Sequence, residues 1–325
     1  MGVVREAEGL SAGQASLPGD CITVTSRDGL ELVVGAFPAE GPGPVVVLVH
    51  GISSHLGWYR LLAQDLCGRG ISVYAPDRRG CGLSPGPRGH MSSWKLVVDD
   101  LHRVAAEAAR RHPGRPIHLL GISLGGVFCT GAVLERPKLY ASLLASAPGF
   151  SSRFGIPLLR RLKVLKRSFT RPTRLYPLPF GVDALTDNPD WKPVLLSDPL
   201  RTRRVSARFL VEMFRMQQKT SRGFRSVWPP ALIFLAEEDA LIDNEAILRM
   251  FSSVNRTPLR IEIFAGATHI LPASRPRVSF CDRLQRWFEG EYLETPEGRK
   301  IVRVPAARSA REDLTPPPEF DGPAP

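Results

Sequence analysis

One stretch constrains this chain more than any other: Pro116-Ile-His-Leu-Leu-Gly-Ile-Ser-Leu-Gly-Gly126. An apolar run enters Gly121-x-Ser123-x-Gly125, and a segment that reads as helix, Val127 to Glu135, leaves it. A strand driven straight into a helix needs a sharp turn, and its apex residue is forced into strained backbone geometry. Gly121 and Gly125 remove the Cβ atoms that would clash across that turn. Ser123 at the apex is then presented as a nucleophile, with a helix N-terminus directly beneath it. The amide of Leu124 can point at an oxyanion beside it. The pentapeptide alone arises readily by chance; the strand before it and the helix after it are the context the motif demands.

The preceding residues supply a frame for the turn. Two β-rich runs, Cys21 to Ser26 and Leu30 to Val34, flank Asp28-Gly29 and predict a hairpin. Val45-Val-Val-Leu-Val49 is the continuous β-branched run of a strand buried on both faces. It ends in His50-Gly51, where a glycine lets the backbone turn and expose an N–H; two readings stay open, an ordinary loop between strand and helix or a second oxyanion donor from the Ile52 amide, supported by His50 and Gly51. A helix (Trp58 to Arg69), a strand (Ile71 to Ala75) and a Gly-punctuated loop, Pro76 to Ser84, follow. Asp77 lies in that loop ahead of Ser123, so it is read as fixing the loop and not as a catalytic acid. Ser93 to His112 reads as an amphipathic helix and Tyr140 to Ser146 as a strand, and the alternation implies a parallel sheet with right-handed crossovers.

The rhythm breaks at residues 150–228, which are basic, Pro-containing and helical without a strand pattern. This predicts a helical lid over the C-terminal edge of the sheet, where α/β active sites form. In it, Leu158, Leu159, Leu162 and Leu165 keep helical spacing beside Arg160, Arg161, Lys163, Lys166 and Arg167. Two readings stay open: a helix that touches lipid, or one that packs on the body with its basic face in solvent. The rhythm resumes at Ala231 to Ala236. Asp239 follows, and Asp243 is placed to cap the next helix, which leaves Asp239 as the candidate acid with Glu237 and Glu238 as rivals. Leu259 to Phe264 reads as the last strand, at the sheet edge, with His269 after it and a closing helix from Arg275 to Trp287. The expected organisation is a disordered 1–20, a core of 21–149 and 229–292, the lid at 150–228, and a disordered tail at 293–325.

The 325 residues suffice for an ample core, and 43% hydrophobic with 23% charged content is ordinary for a globular enzyme. No run approaches the roughly 18–20 apolar residues needed to span a bilayer, and Met1 to Asp20 lacks the apolar core of a secretory signal. Five scattered cysteines without C-x-x-C spacing argue for free thiols in a reducing compartment and against a zinc site, so the cytoplasm is the expected location. The net charge of +11 fits an anionic membrane surface, an anionic substrate or simply an Arg-rich proteome. No nucleic-acid-binding motif accompanies it, and no G-x-G-x-x-G follows the first parallel strand.

Ser123, Asp239 and His269 each fall on a loop after a separate strand, in the order Ser…Asp…His. In that arrangement Ser123 attacks a carbonyl carbon, His269 takes and returns its proton, and Asp239 holds the imidazole in the right tautomer. These residues resemble the α/β-hydrolases of the monoacylglycerol lipase/lysophospholipase type, a group that includes the so-called serine aminopeptidases. The resemblance covers about residues 20–290. It rests on His50-Gly51 with His55 and Tyr59, Asp77-Arg-Arg-Gly-Cys-Gly-Leu-Ser84, Gly121 to Gly126, Ser197-Asp-Pro-Leu200, Glu238 to Asp243, and Gly266-Ala-Thr-His269. It implies an α/β-hydrolase fold with a mostly parallel central sheet and a lid inserted after the sixth strand. It also implies the triad Ser123, Asp239 and His269, and an oxyanion hole from the amides of Ile52 and Leu124. The chain departs from the family at Ile122, Leu124, Ile52 and Ala236, which bear on the substrate. The expected activity is hydrolysis of monoacylglycerols or lysophospholipids without metal or cofactor, with peripheral contact of the basic lid on anionic membrane. The alternatives are a small-peptide or amide hydrolase, an acyltransferase, and a ligand-binding protein without turnover.

Overall fold

The structure is a computed structural model that describes residues 20–155, 157–227, 229–252, 254, 258–273, 277–291 and 299–305. The hairpin forms as β1 (Cys21–Thr25) and β2 (Glu31–Phe37), turning at Gly29 with φ +82°. β3 (Val45–Val49) is buried at every position, as its unbroken apolar run requires. A short 3-10 turn, Leu56–Tyr59, runs into α1 (Arg60–Gly68). Then come β4 (Ser72–Pro76), α2 (Trp94–Arg111), β5 (Ile117–Ile122), α3 (Leu124–Glu135) and β6 (Ser142–Ser146). The insertion contributes α4 (Leu158–Thr170), β7 (Leu175–Pro177), α5 (Trp191–Ser197), β8 (Arg204–Ser206) and α6 (Ala207–Gly223). The core resumes with β9 (Ala231–Ala236), α7 (Asn244–Phe251), β10 (Leu259–Phe264), α8 (Arg277–Phe288) and β11 (Arg299–Val304).

The main sheet runs β1-β2-β4-β3-β5-β6-β9-β10-β11. β2 is antiparallel to both its neighbours, and every pairing from β4 to β11 is parallel. The carboxyl ends of β3, β5, β9 and β10 therefore open on one edge, which is where the loops carrying the candidate residues emerge. Helix starts follow the sequence signals. Ser93 Oγ accepts from the Lys95 amide at the head of α2, and Asp243 Oδ1 accepts from the Ala246 amide at 3.0 Å at the head of α7.

Three expectations are corrected. The tail 293–325 was expected to be disordered, but residues 299–304 form β11, pairing in parallel along the whole of β10. Ile301, Val302 and Val304 supply the β-branched character there; the Pro- and Arg-rich surroundings masked it. β10 is consequently an interior strand and not the edge. The rest of the tail, 293–298 and 306–325, and the expected disorder over residues 1–19 lie outside the described residues.

The insertion was expected to lack strands, yet β7 and β8 pair antiparallel as a separate two-stranded sheet. It is also not one unit. α6 packs on α3 and α2 of the core as well as on α4, and Glu212 on α6 accepts from the Trp94 amide of α2.

The leucine stripe of α4 does not pack on the body. Leu158, Leu159 and Phe169 are 70%, 74% and 65% exposed, and Leu162 and Leu165 are exposed as well. α4 meets α6 through its opposite side, where Val164 and Ser168 are buried.

Candidate active site

The turn after β5 has the geometry its glycines permit. Ser123 sits at φ +54°, ψ −120°, a region that costs a non-glycine residue on the order of 1–3 kcal/mol. The strain is held by hydrogen bonds: the Ser123 amide donates to the Ser146 carbonyl at 2.8 Å, and the Ser123 carbonyl accepts from Gly126 and Gly149, both at 3.0 Å. A Cβ on Gly121 would overlap the Gly125–Gly126 backbone, and one on Gly125 would run into the Val49 carbonyl. α3 is thereby docked against the end of β3, and the free amide of Leu124 opens the helix beside the hydroxyl.

The loop after β3 lies against the same turn, since a Cβ on Gly51 would stand 3.2 Å from Ser123 Cβ. His50 Nε2 accepts from the Arg78 amide at 3.0 Å, so the ring proton is on Nδ1 and is donated to the Gly51 carbonyl at 2.9 Å. Burial, and then the Arg78 charge, push the His50 pKa well below its ordinary value, in keeping with a neutral ring. Arg78 Nη2 donates to the same carbonyl at 2.7 Å, and the Gly51 amide donates to Ser54 Oγ at 3.0 Å. The Ile52 amide has no hydrogen-bond partner among the described residues.

Asp239 and His269 come together, and both are buried. Asp239 Oδ2 lies 2.8 Å from His269 Nδ1, while Oδ1 accepts from the Leu241 and Ile242 amides at 2.8 and 2.9 Å. The carboxylate is thus held on one oxygen by backbone and offers the other to the imidazole. With Nδ1–H donated to Asp239, Nε2 is the acceptor nitrogen of the ring. The rivals go elsewhere: Glu237 accepts from the Gly266 amide and pairs with Arg303, and Glu238 is exposed. Ser123 and Asp239 follow strands separated only by β6, a lateral step of roughly 10 Å. Among the described residues no hydrogen bond joins Ser123 Oγ to His269 Nε2, and no cluster of three or more His, Cys, Asp or Glu is arranged to hold a metal ion.

Asp77 is buried and structural. Its carboxylate accepts from the Leu56 and Leu83 amides, both at 2.7 Å, and burial pushes its pKa above the usual carboxylate range. It ties the loop after β4 to the start of the helix after β3. One arrangement escaped sequence reasoning: Arg201 of the insertion donates through Nε to Ser53 Oγ at 3.2 Å, and Ser53 Oγ donates to the Thr202 carbonyl. A lone arginine in an Arg-rich segment carries no local signal of such a contact.

Comparison with known proteins agrees with this architecture. The family model described as "Serine aminopeptidase, S33" matches residues 40–273. A monoacylglycerol lipase of Mycolicibacterium smegmatis is 28% identical over 71% of this chain and 83% of its own length. A phospholipase of Bacillus subtilis is 25% identical over 67% of this chain and 84% of its own. The crystal structure of the Paleococcus ferrophilus monoacylglycerol lipase superposes with a TM-score of 0.73 at 26% identity, covering 80% of this chain and 99% of that one. With the family model spanning most of the chain, from the residues before β3 to those after His269, this protein belongs to the serine aminopeptidase (S33) family of α/β-hydrolases.

Proposed function

We propose that this protein hydrolyses carboxylic esters of lipids, monoacylglycerols or lysophospholipids, through an acyl-enzyme on Ser123. The buried Asp239–His269 pair carries the reading, because it leaves Nε2 of a fixed imidazole as a proton acceptor on the sheet edge from which Ser123 projects. The reaction runs in two halves. Ser123 Oγ attacks the acyl carbon as its proton passes to His269 Nε2, and the amides of Ile52 and Leu124 receive the oxyanion. The carbon–oxygen bond to the leaving alcohol breaks as His269 returns the proton to it. Water then gives a proton to His269 and attacks the acyl-serine, releasing the carboxylic acid and restoring Ser123. The relatives that carry lipase and phospholipase names support a glycerolipid ester as the substrate class.

The insertion serves as a lid that docks on an anionic bilayer. Its α4 turns an apolar stripe to solvent with a rim of arginine and lysine, the pattern of a helix that lies in a membrane interface. The scattered spacing of the five cysteines supports a cytoplasmic placement.

The test is a substrate panel for wild type and Ser123→Ala: p-nitrophenyl esters of rising chain length, a monoacylglycerol, a lysophospholipid and an aminoacyl anilide. Ester turnover lost on the order of 10⁶-fold in the variant supports the mechanism. Preference for the anilide moves the reading to a peptidase, and transfer of the acyl group to an added alcohol in preference to water moves it to an acyltransferase. Binding without turnover on every ester moves it to a ligand-binding protein.

A further inference from the structure

Arg78 is a buried guanidinium with no carboxylate partner among the described residues. Its Cζ stands 5.3 Å above the Phe128 ring, its Nε has no hydrogen-bond partner among the described residues, and its Nη2 donates at 2.7 Å to the Gly51 carbonyl. A charge desolvated to this degree and left unpaired is costly, so its one strong contact needs a reason. That contact falls on a particular peptide. The Gly51 carbonyl and the Ile52 N–H belong to the same planar amide, and in a trans peptide they point in opposite directions. Pulling the oxygen towards Arg78 therefore turns the Ile52 N–H the other way, and the Gly51 end of that unit lies against Ser123.

We propose that Arg78 is a positioning residue for the oxyanion hole: its guanidinium, together with His50 Nδ1–H, clamps the Gly51 carbonyl and so fixes the Ile52 N–H. This rests on the ester-hydrolase reading above. Two donors on one carbonyl leave the amide plane little freedom to rock. They also withdraw electron density from the oxygen, which makes the N–H across the bond a stronger donor. The clamp is self-consistent, because the Arg78 amide sets the His50 tautomer that supplies the second donor. Phe128 of α3 backs the guanidinium, so the loop after β3 is referenced to the same helix that carries the other oxyanion amide, Leu124. Arg79, its neighbour, serves a different end: it pairs with the exposed Asp28 and the buried Asp100.

The experiment compares wild type, Arg78→Met and Arg78→Lys, with Ser123→Ala as reference. Hydrolysis of a short p-nitrophenyl ester gives kcat and KM. Affinity is measured for an alkyl boronic acid, which forms a tetrahedral adduct on the serine, and for a non-hydrolysable ether analogue of the ester. Outright removal of an oxyanion donor typically costs 10²–10³ in kcat, so a donor left in place but loosened should cost about 10- to 100-fold. The expected result for Arg78→Met is that loss in kcat with KM changed less than about twofold, boronate affinity weakened in parallel and ether affinity unchanged. Arg78→Lys, which keeps a cationic donor, should recover part of kcat. Unchanged kcat in Arg78→Met overturns the proposal. So do equal losses of boronate and ether affinity, which mark a general structural role, and failure of both variants to fold. A wild type without ester turnover fails the ester-hydrolase reading itself; a wild type silenced by Ser123→Ala but indifferent to Arg78→Met fails only the clamp.

Discussion

Asp198 in the insertion lies 3.0 Å from His55 Nε2 in the loop after β3, with both side chains buried. His55 Nδ1 accepts from the Gly57 amide, so the proton on Nε2 is donated to the carboxylate. Trp58 Nε1 donates to the same carboxylate oxygen at 2.6 Å, and the other oxygen takes the Leu200 amide at 2.8 Å. Burial raises the pKa of this carboxyl, but the hydrogen bonds from His55 and Trp58 outweigh it and hold the group below its usual range. The latch therefore contributes fully above the ordinary carboxylate pKa and is lost as pH falls through the depressed one. Asp198→Asn puts an amide N–H₂ against a donor and should cost about 1–3 kcal/mol in urea unfolding at pH 7. The difference from wild type should shrink towards pH 3; an equal difference at both pH values would refute it.

His118 predicts a second pH dependence, of opposite origin. Burial pushes its pKa down to about 4, and its Nδ1 is hydrogen-bonded at 2.6 Å to Ser142 Oγ, an oxygen that also accepts from Trp287 Nε1. A histidine with a lowered folded pKa is neutral in the fold while the unfolded chain takes up a proton below about 6.5. Stability is thus full above pH 7 and falls between about 6.5 and 4, by on the order of 3 kcal/mol for this group. Thermal unfolding followed from pH 7.5 to 4.5 should show at least that slope, to which the other buried histidines, His102 among them, add. His118→Asn starts less stable and should lose less over the interval; identical slopes would count against it.

The strain at Ser123 separates two inactive variants. Ser123→Gly can adopt φ +54° freely, while Ser123→Ala keeps a Cβ in the same region. Both should lose ester turnover, but the glycine variant should be the more stable by about 1 kcal/mol, read from chemical denaturation. A less stable glycine variant would show that the turn is held without strain.

Changing Leu158, Leu159 and Leu162 together to serine should leave the fold intact, because each is exposed. Turnover of a short soluble ester should be unchanged, while partition onto phosphatidylglycerol vesicles should fall by about 10- to 100-fold. Added salt should weaken wild-type binding to those vesicles by screening the basic rim. Vesicle binding that survives the triple change would place the membrane contact elsewhere.

Much of this site was legible because its determinants are local. Gly121, Gly125 and the run before them are contiguous, so sterics alone specify the turn. Asp243 declares itself as a cap by its position before a helix, and that singled out Asp239. Arg78 was not legible as more than part of a glycine-rich loop, since its partners, Gly51 and Phe128, are distant in sequence. Asp198 was visible as a motif, but its contact with His55 spans the insertion. β11 went unseen because a six-residue strand borrows its order from β10, and the surrounding composition argued against it. The α4 stripe was readable as amphipathic; which environment covers it depended on how α6 packs.

That packing has a consequence for how such a chain can diversify. β6 and β9 are adjacent and parallel, so the connection between them must supply a crossover helix, and α6 occupies that layer beside α3. The stretch from about 150 to 197 is less constrained, because Asp198 and Thr202 are tied to the loop after β3 and α6 is bound to the architecture of the sheet. That segment can be rewritten with the parallel sheet and its crossover helices left untouched.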